Sequence, residues 1–446
     1  MVLIVALLLI LVISLLDGSW ASAFAGVFIL LISLLQSQRA CVKDKTKSLL
    51  LAETVFIVYF TMAFIISLAF EGGNKFYVSD PLRYINAYLD RASFYYDLQY
   101  FVDCYFRFSD TNALYNGYLL AVSVFANNVL GGATVFYLTL AQTFFGLLSI
   151  NVLFRILSIY LPSREAFKQT IVFAFCSLFL LYSSLIIRDI VITYFYLLAI
   201  EIVLKKYRTV NIVWLFVLLF ITWGVRLYSG LFMVSFIALY FYLRVLNTRI
   251  RAIALPLFIA VAIAAGAVLL ESVIYEQSVA EIDQYTEMTQ TAEEASGGLI
   301  SALYRLPPGI SHVAIMFYSQ MAPFPPVGPL LRVNSLPSLV IALDVFIFEV
   351  FWLFVFYILL WSFISLKTYK KLETNELFLF GLAIVFILAN TAHPDIRRMM
   401  PVYPITYLLY CKCKLFYVPT KWLRDTKSFM ALAYFGLLIV YIFIKR

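Results

Sequence analysis

Apolar stretches recur along this whole chain at lengths that allow a helix to cross a lipid bilayer. A helix needs about 20 mostly apolar residues to span about 30 Å of hydrocarbon, and the runs 49–70, 133–154 and 341–365 reach that length. The alternation over about ten residues that is typical of membrane β-barrels does not occur. Because lipid cannot satisfy free backbone groups, the runs predict an all-α polytopic integral membrane protein.

Composition and motifs exclude several other classes of protein. The chain is 63% hydrophobic and 13% charged, with a mean hydropathy of +0.94, which excludes a soluble globular domain. The net charge of +8 comes from short basic clusters between apolar runs, so it indicates topology and predicts no nucleic-acid partner. The sequence has no HExxH, paired-cysteine, DxD or glycine-rich nucleotide motif, so we expect no metal and no cofactor.

Basic clusters between the apolar runs predict which loops share a side of the membrane, since cytoplasmic loops are enriched in lysine and arginine. Counting crossings between the clusters works except at 117–131, which is short, contains Asn127 and Asn128, and ends in a glycine pair. If this run crossed, every later basic cluster would change sides. We therefore predict a re-entrant or interfacial helix there, and about 13 transmembrane helices in one domain, 1–446, with a cytoplasmic N-terminus.

This topology brings four distant segments to one non-cytoplasmic face. They are the first exported loop, 71–132 with its interfacial helices; the helix ends at Arg188 and Arg226; the long loop 271–340; and the turn at 393–398. An arginine on the exported side opposes the usual charge bias and needs an anionic partner. The four segments are therefore candidates for one shared site.

The first exported loop combines many tyrosines with charged side chains. Asp80 before Pro81 predicts a helix start with Asp80 as its N-cap, and helical spacing puts Arg83, Tyr84, Tyr88, Arg91 and Tyr95 near one face. One interpretation is an interfacial aromatic belt. The other is a carbohydrate platform, in which Asp80 acts as a general base on an acceptor hydroxyl.

Arg188 and Arg226 stand at the outer ends of apolar runs. A guanidinium at mid-membrane costs about 2.5 to 3.5 kcal/mol on insertion scales, so Arg188 is either functional, paired with Asp189 or directed to water. Adjacent residues on a helix do not face each other, which weakens the local pair. Gly224 and Gly230 predict a close backbone approach beside Arg226. Two guanidinium groups from two helices suit a diphosphate better than a neutral sugar.

Two further segments carry candidate polar groups on the same face. The turn ANTAHPDIRRMMPVYP holds His393, Asp395, Arg397 and Arg398, with a plain exported turn as the alternative. In the long loop, 271–294 has seven acids and no base, which is typical of a solvated helix or mobile flap. From 297 to 329 the loop is apolar and rich in proline, with Arg305 and His312, which predicts a lid over a lipid-linked substrate.

Four short motifs add a resemblance to a known family. SDPLRYINAY, IIRDIVIT, WGVRLYSG and RRMMPVYP together resemble the Wzy-type and EpsG-type polymerases of O-antigen and exopolysaccharide, which are membrane glycosyltransferases of the GT-C class. The likeness extends from about residue 75 to 404. It implies a GT-C-like fold in the bacterial inner membrane, with the active site facing the periplasm. It also implies a role in lipopolysaccharide or exopolysaccharide biosynthesis, with an undecaprenyl-diphosphate-linked oligosaccharide and a chain-length regulator as partners.

The resemblance also implies roles for the candidate residues. A glycan chain would leave its lipid diphosphate as a hydroxyl of a second lipid-linked repeat unit attacks the anomeric carbon. Arg188 matches the family's arginine at an exported helix start, and Arg226 stands where EpsG-like members often carry a histidine. The expected catalytic residues are Asp80, Arg188 and His393, with Asp80 or His393 as the base. The expected substrate-binding residues are Arg83, Tyr84, Arg226, Arg305, His312, Asp395, Arg397 and Arg398.

Three alternatives stay open at this point. A GT-C glycosyltransferase could take a single sugar from a polyprenyl monophosphate, and an O-antigen ligase would have His393 at its centre. A flippase or transporter of lipid-linked oligosaccharides belongs to another class. Transporters often show internal repeats and broken helices in matching halves, and the sequence shows no such symmetry. Large loops confined to one face also favour an enzyme with a fixed site.

Overall fold

A computed structural model gives the fold of this chain. It describes residues 2–39, 44–71, 80–93, 95–107, 112–205, 208–245, 303, 305–307, 309–320, 330, 333–389 and 399–444. These residues are mostly helical, and they contain no β-strand. The predicted all-α class is therefore confirmed for the described part of the chain.

Helices follow one another closely in sequence, as the apolar runs predict. In the first half of the chain they are α1 (Val2–Asp17), α2 (Trp20–Arg39), α3 (Lys45–Glu71), α4 (Asp80–Tyr88), α5 (Tyr95–Arg107), α6 (Ala113–Val129), α7 (Val135–Tyr160), α8 (Ser163–Cys176), α9 (Phe179–Ser183), α10 (Arg188–Leu204), α11 (Thr209–Val225) and α12 (Leu227–Tyr240). Further along they are α13 (Ile310–Ser319), α14 (Leu336–Leu366), α15 (Thr374–Ala389), α16 (Tyr403–Phe416) and α17 (Thr420–Ile444).

Four described helices are long and apolar enough to cross a membrane by length and composition: α2 over Trp20–Gln38, and α3, α7 and α14 over their full lengths. Shorter apolar helices accompany them at Val2–Asp17, Thr209–Val225, Phe232–Leu243 and Thr374–Leu388. The chain therefore has the helices of a membrane protein. The number of about 13 crossings stays a prediction.

Helix α7 lies at the centre of the bundle, packed against α2, α3 and α10. Two contacts show that α7 and α10 run in the same direction. Gln142 and Ile187 meet near the start of both helices, and Arg155 and Glu201 meet near their ends. Glycine at position 146 of α7 allows α9 to approach, because a Cβ there would overlap the side chain of Ser183.

The apolar run 168–187 does not form the continuous span that hydropathy predicts. Helix α8 ends at Cys176, and α9 is a single short turn between two interruptions, 177–178 and 184–187. Polar side chains satisfy the backbone groups at these breaks. The Ser177 hydroxyl accepts from the Phe179 amide at 3.3 Å, and the Tyr59 hydroxyl donates to the Ala174 carbonyl at 3.2 Å. Broken helices inside an apolar bundle depend on such partners.

Several basic clusters lie together at one end of this bundle. Arg155 donates two hydrogen bonds of 2.8 Å to Glu201, which also binds Lys205 at 2.7 Å. The ammonium of Lys412 lies 4.7 Å from the centre of the Tyr160 ring, at the end of α7. Clusters that the sequence predicts to share one side of the membrane thus share one end of the described bundle. Which compartment that end faces stays a prediction.

Candidate anion-binding site

Arg188 is the first residue of α10 and follows a buried segment that is not helical. Ile187 has extended backbone angles, φ −142° and ψ 144°, and residues 184–187 are all buried. The Gln142 side chain of α7 donates to the Ile187 carbonyl at 2.6 Å. Gln142 lies about two turns, or about 10 Å, beyond Val135, where α7 begins. The start of α10 is therefore inside the bundle.

Arg226 forms an ion pair with Asp189 across two helices. The Arg226 Nη1 atom lies 3.3 Å from Asp189 Oδ1, and the two side chains are 12% and 6% exposed. The sequence also allows an ion pair between the neighbours Arg188 and Asp189, but Asp189 pairs with Arg226 instead. Consecutive helical side chains diverge by about 100°, so Asp189 faces α12 while Arg188 faces elsewhere.

Arg188 is only partly exposed, yet within the described residues it makes no hydrogen bond and no ion pair. Its charge lies within electrostatic range of the Tyr115 hydroxyl of α6. Arg226, by contrast, ends α11, caps α12 with extended backbone angles, φ −165° and ψ 124°, and is held by Asp189. The Arg226 guanidinium is thus fixed by the protein, whereas the Arg188 guanidinium has no hydrogen-bond partner among the described residues.

Helix ends add to the positive potential at this place. The N-terminus of a helix carries a partial positive charge and unpaired amide groups. Both α10 and α12 begin here, at Arg188 and directly after Arg226. The Asp189 carboxylate neutralises one positive charge. Two guanidinium groups and two helix N-termini together carry more than that, so the net charge at this place is positive. The arrangement favours an anion with several oxygen atoms, such as a phosphate.

Tyrosines connect α4, in the loop that the sequence predicts to be exported, with Arg188. The Tyr84 ring packs edge-on against the Tyr115 ring, with 5.2 Å between ring centres. Tyr115 in turn donates to the Gln142 side chain at 3.1 Å, and burial raises the pKa of Tyr115 well above its ordinary value, so its hydroxyl stays protonated. Tyr115 therefore lies between Tyr84 of α4, on which it packs, and Arg188 of α10, which is within electrostatic range of its hydroxyl.

The expected single aromatic face of the first loop is wrong in its detail. Helix α4 ends at Tyr88, so Arg91 and Tyr95 lie beyond it and do not continue its face. The Asn127 amide donates to the carbonyls of Leu89 and Arg91 at 3.0 and 2.8 Å. This polar side chain near the end of α6 satisfies carbonyls in the turn that follows α4, where the chain leaves the helix.

Gly224 and Gly230 do allow close packing beside Arg226. A Cβ atom at Gly230 would lie 2.9 Å from the Trp223 Cα atom, and one at Gly224 would lie 2.5 Å from Leu114. Real Cβ atoms do not approach this closely, so both positions require glycine for this packing. The predicted close backbone approach is confirmed at Gly230, whereas the atoms that face Gly224 belong to the side chains of Tyr105 and Leu114.

Other predicted site residues are placed only in part. Arg83 and Arg305 are exposed, and no described contact joins either one to Arg188 or Arg226. Asp80 begins α4 and His312 lies in α13, but their side chains are outside the described residues, as are all of His393, Asp395, Arg397 and Arg398.

The chain that follows the predicted polar turn packs near the site. Met400–Val402 form a short 3₁₀ helix that contacts α10. Next to it, the buried Gln320 side chain at the end of α13 accepts from the Trp352 indole at 2.9 Å and lies 3.3 Å from the Met399 sulfur. The second half of the long loop is therefore anchored to the bundle at Gln320. The action of this loop as a lid remains a prediction from the sequence.

Three residues of this site were not singled out from sequence. The sequence pattern predicts Asp189 only as a partner for its neighbour Arg188, and it predicts no role for Tyr115 or Gln142. A lone glutamine inside the run 133–154 is a usable signal, because a buried amide must find hydrogen-bond partners. Comparisons of the chain with protein-family profiles, curated proteins and solved structures found no match. The resemblance therefore rests on the four motifs alone.

Proposed function

We propose that this chain is a membrane glycosyltransferase that polymerises a polysaccharide from polyprenyl-diphosphate-linked repeat units. The observation that carries the proposal is the ion pair of Arg226 with Asp189, the residue that follows Arg188, at the starts of two helices inside the bundle. Such a site suits a diphosphate that is attached to a membrane lipid. The four quoted motifs add the resemblance to polymerases.

The proposed chemistry assigns a different task to each arginine. As the glycan chain leaves the lipid diphosphate, negative charge builds up on the departing phosphate oxygen. Arg188, which has no described partner, would form new hydrogen bonds to that charge. Arg226, fixed by Asp189, would hold the second phosphate without reorganising. Charged groups that are positioned in advance lower such a barrier without a metal.

The acceptor sugar would lie toward the first exported loop. Tyr84 is partly exposed and packs on the buried Tyr115 ring, and an exposed aromatic ring of this kind covers the apolar face of a sugar. Asp80 or His393 would accept the proton of the attacking hydroxyl, since arginine stays protonated at ordinary pH. The proposal also includes three expectations from the sequence. They are a GT-C-like arrangement of about 13 spans, a location in the bacterial inner membrane and a site that faces the periplasm.

The test is to incubate the purified protein in lipid with a defined undecaprenyl-diphosphate oligosaccharide and to separate the products by size. We expect a ladder of polymers from the wild-type protein. Arg188→Ala should slow chain growth by about 10²- to 10³-fold, the effect of losing one group that stabilises a transition-state charge. Arg188→Lys should be intermediate, because lysine keeps the charge but not the two-pronged geometry.

Arg164→Ala is the matched control, because Arg164 is exposed near the start of α8, beside the basic end of the bundle. Its rate should equal that of the wild type. Transfer of one sugar from a polyprenyl monophosphate, or of a glycan to a lipid core, would favour the two other enzymes. Undiminished polymerisation by Arg188→Ala would remove Arg188 from the mechanism.

One observation favours a transporter of lipid-linked oligosaccharides as a second candidate. The interrupted segment α8–α10 resembles the discontinuous helices from which transporter sites are built. In sealed vesicles, a transporter would move the lipid-linked oligosaccharide to the other leaflet and leave its size unchanged. Polymer formation and translocation are therefore separable in one preparation.

A further inference from the structure

Helix α14 contains a buried carboxyl group that the proposed reaction does not use. Asp344 is 7% exposed and lies in one of the four helices that are able to cross a membrane. Its Oδ2 atom has no hydrogen-bond partner among the described residues, and no described lysine or arginine pairs with it. A lone carboxylate in an apolar interior is costly unless a proton or another cation joins it.

Groups from three other helices lie near the Asp344 carboxyl. The backbone of Leu181 in α9 bonds its carboxyl group, and the Tyr59 hydroxyl of α3 and the Cys176 thiol of α8 lie within electrostatic range. The fully buried Ser183 hydroxyl lies next to Tyr59, close enough to donate a hydrogen bond to the Tyr59 hydroxyl. None of these neighbours carries a positive charge.

The position of Ser183 is set by the packing of α9 on α7. The space above Gly146 is filled by the Ser183 side chain, with the Tyr59 ring 3.3 Å from the place that a Cβ would take. Helix breaks on both sides of α9 leave backbone carbonyls outside regular helix. Unwound carbonyls beside a carboxylate are the groups that hold protons and sodium ions in membrane proteins.

We propose that Asp344, Ser183 and Tyr59 form a binding site for a small monovalent cation, a proton or a sodium ion, inside the bundle. One carboxylate balances one positive charge, which favours a monovalent over a divalent ion. Hydroxyl and carbonyl oxygens complete a set of hard ligands. The site uses none of the residues of the anion site, so it stands or falls independently of the proposed glycosyl transfer.

The test is labelling of the purified wild-type protein with dicyclohexylcarbodiimide, followed by peptide mass spectrometry. This reagent adds to a protonated carboxyl group in apolar surroundings and leaves a stable N-acylurea. Labelling is measured over a pH series without sodium, and over a sodium series at fixed pH and ionic strength. Glu349 of the same helix, which lies 3.4 Å from the Tyr434 hydroxyl, is the internal reference.

Labelling of Asp344 that falls as sodium rises identifies a sodium site, and labelling that falls only with rising pH identifies a proton site. Ser183→Ala should raise the half-protecting sodium concentration about tenfold, or shift the half-labelling pH upward by about one unit, because a ligand of the charged form is lost. Absent labelling, labelling unchanged by both series, or equal protection of Glu349 by sodium would overturn the proposal.

Discussion

Breaking the ion pair between Arg226 and Asp189 should destabilise the protein far more than a surface ion pair would. The perturbations are Arg226→Met, Asp189→Asn and the double variant. Each single change leaves one charged side chain without its partner, in a place where the two are only 12% and 6% exposed. The double change removes both charges together, so neither is left alone.

The magnitude follows from the geometry. At the observed 3.3 Å, two unit charges attract by about 5 kcal/mol for an effective dielectric constant of about 20. Removing one member of a buried pair typically costs about 3 to 5 kcal/mol, because the remaining charge is desolvated and unpaired. We expect about 3 kcal/mol or more for each single variant, and a coupling energy of about 2 kcal/mol or more.

Unfolding in mixed micelles, followed with a thiol-reactive dye, measures these free energies. Cys104, Cys411 and Cys413 are free and buried, so dye reaction reports the loss of the bundle. If the single variants lose less than about 1 kcal/mol, or if their losses simply add in the double variant, the pair is not the fixed element that holds Arg226. The assignment of separate tasks to the two arginines would then fail.

Two further stability predictions use the same assay. Gly230→Ala should cost about 1 to 3 kcal/mol, because its Cβ would lie 2.9 Å from the Trp223 backbone. Gly381→Ala in α15, where a Cβ meets open space, should instead stabilise by up to about 1 kcal/mol; equal effects would contradict the packing argument. Gln142→Leu should cost about 1 to 3 kcal/mol, because the N-cap carbonyl of α10 loses its donor. The exposed Gln38→Leu should change stability by less than about 0.5 kcal/mol, and a similar loss there would refute the role of Gln142.

The sequence predicted the helical class and the special position of Arg188 because both depend on local pattern. Apolar runs identify helices, and a charge inside such a run is conspicuous whatever surrounds it. The partner of Arg226 was not predictable in this way. Asp189 is 37 positions away, and the bond depends on how α10 and α12 pack, which hydropathy does not specify.

The break before Arg188 shows a second limit of sequence pattern. Residues 171–187 are mostly apolar and contain no charged residue, glycine or proline, so nothing local distinguishes a continuous span from a short helix between two interruptions. What stabilises the interruptions are hydrogen bonds from Tyr59 and Gln142, which belong to other helices. The same applies to Asp344, whose isolation is visible only once its neighbours are known.

Interrupting a helix inside an apolar bundle is unfavourable, because each freed backbone group must find a new partner away from water. This chain interrupts one segment twice within eleven residues, 177–187, and supplies buried polar side chains from other helices to permit it. A bundle of uninterrupted helices would not need these polar side chains. The interruptions begin α10 inside the bundle at Arg188 and expose the backbone near Ser183 and Asp344. Both proposed sites therefore lie beside this interrupted segment.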